Sequence, residues 1–146
     1  MMPELATLTK DWKWLFDPDQ FTLLEVSPFG DLFMKDATGA FCLLDVNMGE
    51  IQYAEIEGSN PALLLHFAFD MVIATGYIKA GLLPVEGECF GYKQQLVAGG
   101  SMEVDNVYVA TMSEYISFMG DFHRQIQDVP DGATVTLKAI NRKVVQ

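Results

Sequence analysis

His66 and Asp70 stand four residues apart, which on a helix places an imidazole and a carboxylate on one face at a spacing that suits two metal ligands. A metal needs a third or fourth ligand, and the surrounding run from Ala62 to Ile78 is otherwise mostly apolar. The expected arrangement is therefore a buried histidine paired with its own aspartate, because buried charges are usually paired. Glu86, Glu88 and Cys89 bunch in one loop, where a metal site or an acid/base pair is conceivable. No histidine accompanies them, and a solvated acidic loop is expected instead. His123 lies on the flank of a helical segment beside Arg124, and a lone histidine is a general base only where a substrate pocket faces it.

Nucleophile and phosphate motifs are absent. The chain has no Gly-x-Ser-x-Gly elbow, no phosphate loop ending in Gly-Lys-Ser/Thr and no His-Glu-x-x-His. Gly99-Gly100 lacks both the lysine and the preceding strand of a phosphate cradle, so it is expected to let a turn pass close to other backbone. Taken together these absences favour a protein that binds without catalysing, with no cofactor and no metal. A small-ligand or metal-dependent enzyme built on His66, Asp70, Glu86 and Glu88 is the alternative from a different class.

The elements that must position these residues are legible in the pattern. Thr111-Met-Ser-Glu114 has the spacing of a capping box. Behind it Met112, Tyr115, Ile116, Met119, Phe122 and Ile126 draw one apolar stripe at helical steps, with Glu114, Ser117, Asp121, Arg124 and Gln125 opposite. Val129-Pro130-Asp131-Gly132 stops this helix. Leu5 to Phe16 reads as a short amphipathic helix, broken by Asp17-Pro18-Asp19. Four strands follow, at Phe21–Ser27, Gly30–Asp36, Ala40–Val46 and Ile51–Ile56, with turns at Asp36–Gly39 and Asn47–Glu50. Turn signals about ten residues apart between short apolar runs indicate an antiparallel meander. Asn60-Pro61 opens a second helix running to Ile78, with Asn60 as N-cap and Pro61 at the first helical position. Its length raises the question of a membrane span, but His66, Asp70, Gly76 and the acidic upstream flank argue for a helix buried between a sheet and another layer. In the run from Cys89, Gly91-Tyr92-Lys93 reads as a turn and a short strand precedes Thr111, while Ala133–Ile140 alternates as a last strand. The fold class expected is α+β: an antiparallel meander sheet packed against one buried apolar helix and one amphipathic helix, in a single domain spanning 1–146.

At 146 residues, half of them hydrophobic, the chain can bury about two thirds of its unfolded surface. Its formal charge of −11 argues against binding nucleic acid or anionic lipid and suits a basic partner. Two cysteines, Cys42 and Cys89, make no disulfide framework, and no signal-peptide pattern opens the chain. Two free, buried thiols in a reducing cytoplasm are expected. Between Asp17 and Asp70 ten acids face one base, Lys35, so this stretch carries nine of the eleven net negative charges. Asp31, Asp36, Asp45 and Glu50 fall at strand ends and turns, and are expected along one rim of the sheet. With Glu86 and Glu88 they form the candidate partner-binding set.

Several short motifs, in this order, carry a family resemblance. They are Asp11-Trp12-Lys13-Trp14-Leu15, Pro28-Phe29-Gly30-Asp31-Leu32-Phe33, Asp36-x-x-Gly39, Leu43-Leu44-Asp45 and Gly49-Glu50-Ile51. They continue with Gly87-x-Cys89-Phe90-Gly91-Tyr92-Lys93, Gly99-Gly100, Asn106, Tyr115-x-x-Phe118 and His123-x-Gln125. Over about Asp11 to Gly132 the chain resembles a bacterial domain family associated with the C-terminal domain of type VI secretion immunity proteins that neutralise DNase effectors. The Pro61–Ile78 helix is more apolar than that family leads one to expect. The resemblance implies a cytoplasmic, non-catalytic protein that binds a cognate toxin, a nuclease effector with a basic surface. No family motif fixes the toxin-contacting residues, and oligomeric state is not implied. A related-looking alternative is the immunity superfamily typified by yeast cell-wall regulator homologues, also α+β with a Gly-Asp-turn meander. In that case only the toxin would differ.

Overall fold

The computed structural model describes residues 4–53 and 61–129. Four short strands, β1 (Phe21–Val26), β2 (Leu32–Asp36), β3 (Phe41–Asp45) and β4 (Glu50–Tyr53), form an antiparallel sheet in the order β1-β2-β3-β4. The meander is as expected, with turns at the expected places and Gly39 at φ +91° closing the one after β2. The register is regular except for a bulge between Leu23 and Glu25 of β1. It pairs Leu32 with Leu44 and Met34 with Cys42, so these four side chains share one face and all are fully buried.

Helix α3 (Met112–Ile126) lies against that face, burying Tyr115, Ile116, Met119 and Phe122. Thr111 occupies the N-cap position, but its side chain makes no capping hydrogen bond, so the capping box expected from its spacing does not form. Thr111 also ends a strand, where it pairs with Glu88. Ser117 and His123, on the polar or flanking side of the pattern, are buried as well, because a second layer covers that side. The layer is the N-terminal segment. In place of one amphipathic helix it forms a single turn, α1 (Leu5–Leu8), followed by a 3-10 turn at Lys10–Trp12. Trp12 Nε1 donates to the Ile116 carbonyl (2.8 Å) and Trp14 Nε1 to the Gly120 carbonyl (3.1 Å), while Ser117 Oγ donates to Asp11. Trp12 is fully buried between this segment and the helix.

Helix α2 (Pro61–Lys79) and a two-stranded sheet, β5 (Glu88–Tyr92) with β6 (Val107–Thr111), complete the described fold. β5 occupies the place of the Gly-Tyr-Lys turn. Gly91 pairs with Tyr108, and a Cβ on it would come within 2.6 Å of the Tyr115 ring. Only glycine lets this strand pass beneath the aromatic ring, which is why a glycine stands inside a strand. Gly100 behaves as its sequence implied, since a Cβ there would lie 1.9 Å from the Gln94 carbonyl oxygen. A second core of Phe29, Ala74, Tyr77, Phe90, Tyr92 and Val107 joins α2 to this hairpin.

The expectation that α2 is enclosed is corrected. One side packs through Ala74 and Tyr77, but Phe69, Met71, Val72 and Ile78 are exposed, Val72 to 71%. Sequence periodicity cannot show an apolar surface left in solvent, so a helix apolar on all sides reads as buried. Among the described residues no helix is long and apolar enough to cross a membrane. Cys42 and Cys89 are free and buried, and burial pushes both thiols up to about 12, far from a reactive thiolate. The Asn60 N-cap, the end of the fourth strand beyond Tyr53, the Pro130–Gly132 stop and the Ala133–Ile140 strand lie outside the described residues.

Candidate functional site

The β1–β2 and β3–β4 loops meet at one end of the meander, and the chain's most consequential polar groups gather there. Ser27 organises the first loop: its Oγ accepts from the backbone N–H of Phe29 and of Asp31, both at 3.1 Å. Asp31 is thereby turned inward, 2% exposed, and its Oδ1 accepts from the Val46 N–H at 3.1 Å, tying the first loop to the second. Asp45 holds the second loop by accepting from the N–H groups of Asn47 (3.2 Å) and Met48 (3.1 Å). Asn47 Oδ1 accepts a 2.5 Å hydrogen bond from the buried Tyr115 hydroxyl, and His123 Nε2 donates to the Val46 carbonyl at 3.0 Å. Both contacts anchor the loops on α3.

Helix α2 then delivers a histidine to this end. His66 Nε2 lies 3.1 Å from Asp31 Oδ2 and 3.4 Å from Asp70 Oδ2. The expected His66–Asp70 pair is present, and a third partner joins it from thirty-five residues away in sequence. Asp70 Oδ2 is buried with no hydrogen bond to satisfy it. Burial raises the Asp31 carboxyl to about 7, with the Asp45 and Asp70 charges adding to the effect against the His66 hydrogen bond. The Asp31 and Asp70 carboxylates push His66 up to about 10, against its own partial burial. Asp45 is also raised, by burial first.

The acidic rim expected from the sequence does not form as drawn. Strand ends alternate between the two ends of a meander, so Asp31, Asp45 and Glu50 stand at one end and Asp36 at the other. Asp31 and Asp45 are buried, 2% and 7% exposed, because their carboxylates hold loop N–H groups and not solvent. Asp36 caps its own turn by accepting from Thr38 N–H and Oγ–H and from Ala40 N–H, which holds its carboxyl below the usual range. Glu50 is exposed and accepts from Gln52 Nε2. Glu86 is exposed in the loop before β5, and Glu88, the first residue of β5, accepts from the Val85 N–H. Neither joins the Asp31–His66–Asp70 cluster, so the four-residue enzyme site drawn from His66, Asp70, Glu86 and Glu88 is not assembled among the described residues. The residues that spacing alone missed are Asp31 as a partner of His66 and Tyr115 as a partner of Asn47. Ser27-Pro28-Phe29-Gly30-Asp31 is the available signal for the first, since a serine hydroxyl that binds the N–H two residues on, just before a glycine, can fold the loop inward.

Three comparisons bear on identity. No curated protein matches the chain. The fold is similar to the crystal structure of Atu4351 from Agrobacterium tumefaciens, with a TM-score of 0.58 at 12% identity. That similarity covers 81% of this chain but 62% of the other, so this chain spans less than two thirds of that structure's length. At such identity the likeness concerns the fold alone. Residues 67–123, from within α2 through β5, β6 and most of α3, match the family model of the T6SS immunity protein Tdi1, C-terminal. This match associates the chain with the immunity proteins of type VI secretion.

Proposed function

We propose that the protein binds and neutralises a cognate type VI effector toxin, in the cytoplasm and without catalysis. The observation that carries this reading is the family match over residues 67–123. The surface supports it in two ways. The exposed apolar residues Phe69, Met71 and Val72 lie on α2 inside the matched segment, where a protein partner can bury them. A net charge of −11 suits a toxin with a positive surface, and a nuclease that grips phosphates is such a toxin. Neutralisation then consists of covering the toxin's substrate-binding face with α2 at the centre and exposed acids such as Glu50 and Glu86 supplying long-range attraction.

Co-expression with whichever effector gene stands beside its own tests the reading. Survival of the host together with a complex on a sizing column is the expected result. Absence of both rescue and complex refutes it. Charge reversal at the exposed Glu50 and Glu86 should slow association and flatten its salt dependence. Asp31 and Asp45 are left out of that set, because reversing a buried carboxylate tests folding instead of docking.

A further inference from the structure

We infer that Asp31, His66 and Asp70 form a binding site for one divalent first-row cation, zinc being the best fit, which pins α2 to the loop end of the meander. The inference stands independently of the immunity reading.

The geometry carries it. One ligand atom from each of the three residues lies within 4.8 Å of the others. His66 Nε2 sits 3.1 Å from one carboxylate oxygen and 3.4 Å from the other. Ligands held about 2.0–2.1 Å from a tetrahedral metal stand about 3.3–3.4 Å apart, so two edges of the coordination polyhedron are already close to their final length. The third edge closes by rotation of the Asp70 carboxylate. Its Oδ2 is buried and makes no hydrogen bond, being held by the 3.4 Å ion pair with His66, so a cation that takes the place of the His66 proton would become its partner.

The shell behind the ligands is in place. Asp31 is oriented by the Val46 N–H on its other oxygen and by the Ser27 Oγ hydrogen bond to its own N–H. Asp45, buried nearby on the second loop, adds negative potential without reaching the cluster. The His66 side chain remains 24% exposed, which leaves a route for the ion and a fourth position for water. An imidazole with two carboxylates selects against magnesium and calcium, which prefer all-oxygen sites. The competitor for the site is the proton on His66, which metal binding displaces.

The test uses untagged full-length protein, stripped with a chelator and titrated with zinc chloride by calorimetry, with cobalt chloride as a spectroscopic probe. The expected result is saturable binding of one zinc per chain and a rise in melting temperature. Cobalt should give the intense visible absorption of a tetrahedral site. His66→Gln and Asp70→Asn, checked for folding by circular dichroism, should each weaken zinc at least about 10–100-fold. The wild-type titration decides even if a variant unfolds. No saturable zinc binding, a cobalt spectrum of octahedral type, or undiminished affinity in folded His66→Gln overturns the inference.

Discussion

Gly49→Ala isolates the contact that holds the β3–β4 loop on α3. Gly49 has φ +75°, and a Cβ built on it falls 2.4 Å from Nδ1 of His123. Two costs follow. An alanine in the left-handed region costs about 1–2 kcal/mol. Ordinary contact begins near 3.4 Å, so the imidazole must also retreat by about 1 Å (3.4 − 2.4). The ring lies between Trp12, 5.8 Å away between centroids, and Phe122, 5.1 Å away, with its Nε2 bound to the Val46 carbonyl at 3.0 Å. Such a retreat breaks that buried hydrogen bond, at about 1–3 kcal/mol. The sum, about 2–5 kcal/mol, is a large share of a typical stability of about 5–15 kcal/mol. Urea unfolding should show a lower midpoint at unchanged slope. The cycle with His123→Ala sharpens the test, because without the ring only the backbone cost of Gly49→Ala remains, leaving a coupling of about 1–3 kcal/mol. A loss below about 1 kcal/mol in the single variant, or strict additivity in the double, refutes the reasoning.

Tyr115→Phe removes a fully buried hydroxyl that donates to Asn47 Oδ1 at 2.5 Å and accepts from the Tyr92 N–H at 3.3 Å. It should cost about 1–3 kcal/mol in chemical denaturation, and Asn47→Ala should add little on top of it. Burial holds the His123 imidazole below its ordinary 6.5, against the hydrogen bonds to the Val46 and Asn47 carbonyls. The unfolded chain therefore binds this proton more readily, so its contribution is complete above pH 6.5 and is lost as pH falls from there through the lowered folded value. Denaturation at several pH values should accordingly show wild type losing more stability on acidification than His123→Gln, and equal losses would exclude that role. Phe69→Asp with Val72→Asp, at positions 63% and 71% exposed, should leave the melting temperature within a few degrees of wild type while abolishing toxin capture in a pull-down. Retained capture would move the interface off α2.

The meander was legible in the chain because its signals are local: Asp36-Ala37-Thr38-Gly39 and Asn47-Met48-Gly49 mark turns whatever surrounds them. Helix α3 was equally plain from its stripe. What escaped are facts that only tertiary contact creates. Ser117 and His123 read as solvent-side or flanking positions until the N-terminal segment covers them, Asp11 meeting Ser117 and Trp12 meeting His123, and α2 reads as enclosed although part of its apolar surface is bare. Gly91 read as a turn because a glycine under an aromatic ring and a glycine in a bend look alike in sequence. In the site, the His66–Asp70 spacing announced a pair, but its third member comes from a loop whose inward fold depends on Ser27 Oγ. Their positions at turns suit Asp31 and Asp45 to a docking rim. The same position serves equally to tie loop N–H groups, and here that use prevails.

Both tryptophans of the chain, Trp12 and Trp14, lie in the segment that straps α3, with their rings stacked at 5.9 Å. Intrinsic fluorescence is therefore a local gauge of that strap, reporting when residues 5–16 peel from the helix. Detachment of the strap ahead of global unfolding would appear as an emission shift preceding the loss of helical ellipticity. An event confined to the far face of α2 would leave the emission silent, so following toxin capture optically calls for a label placed on that helix.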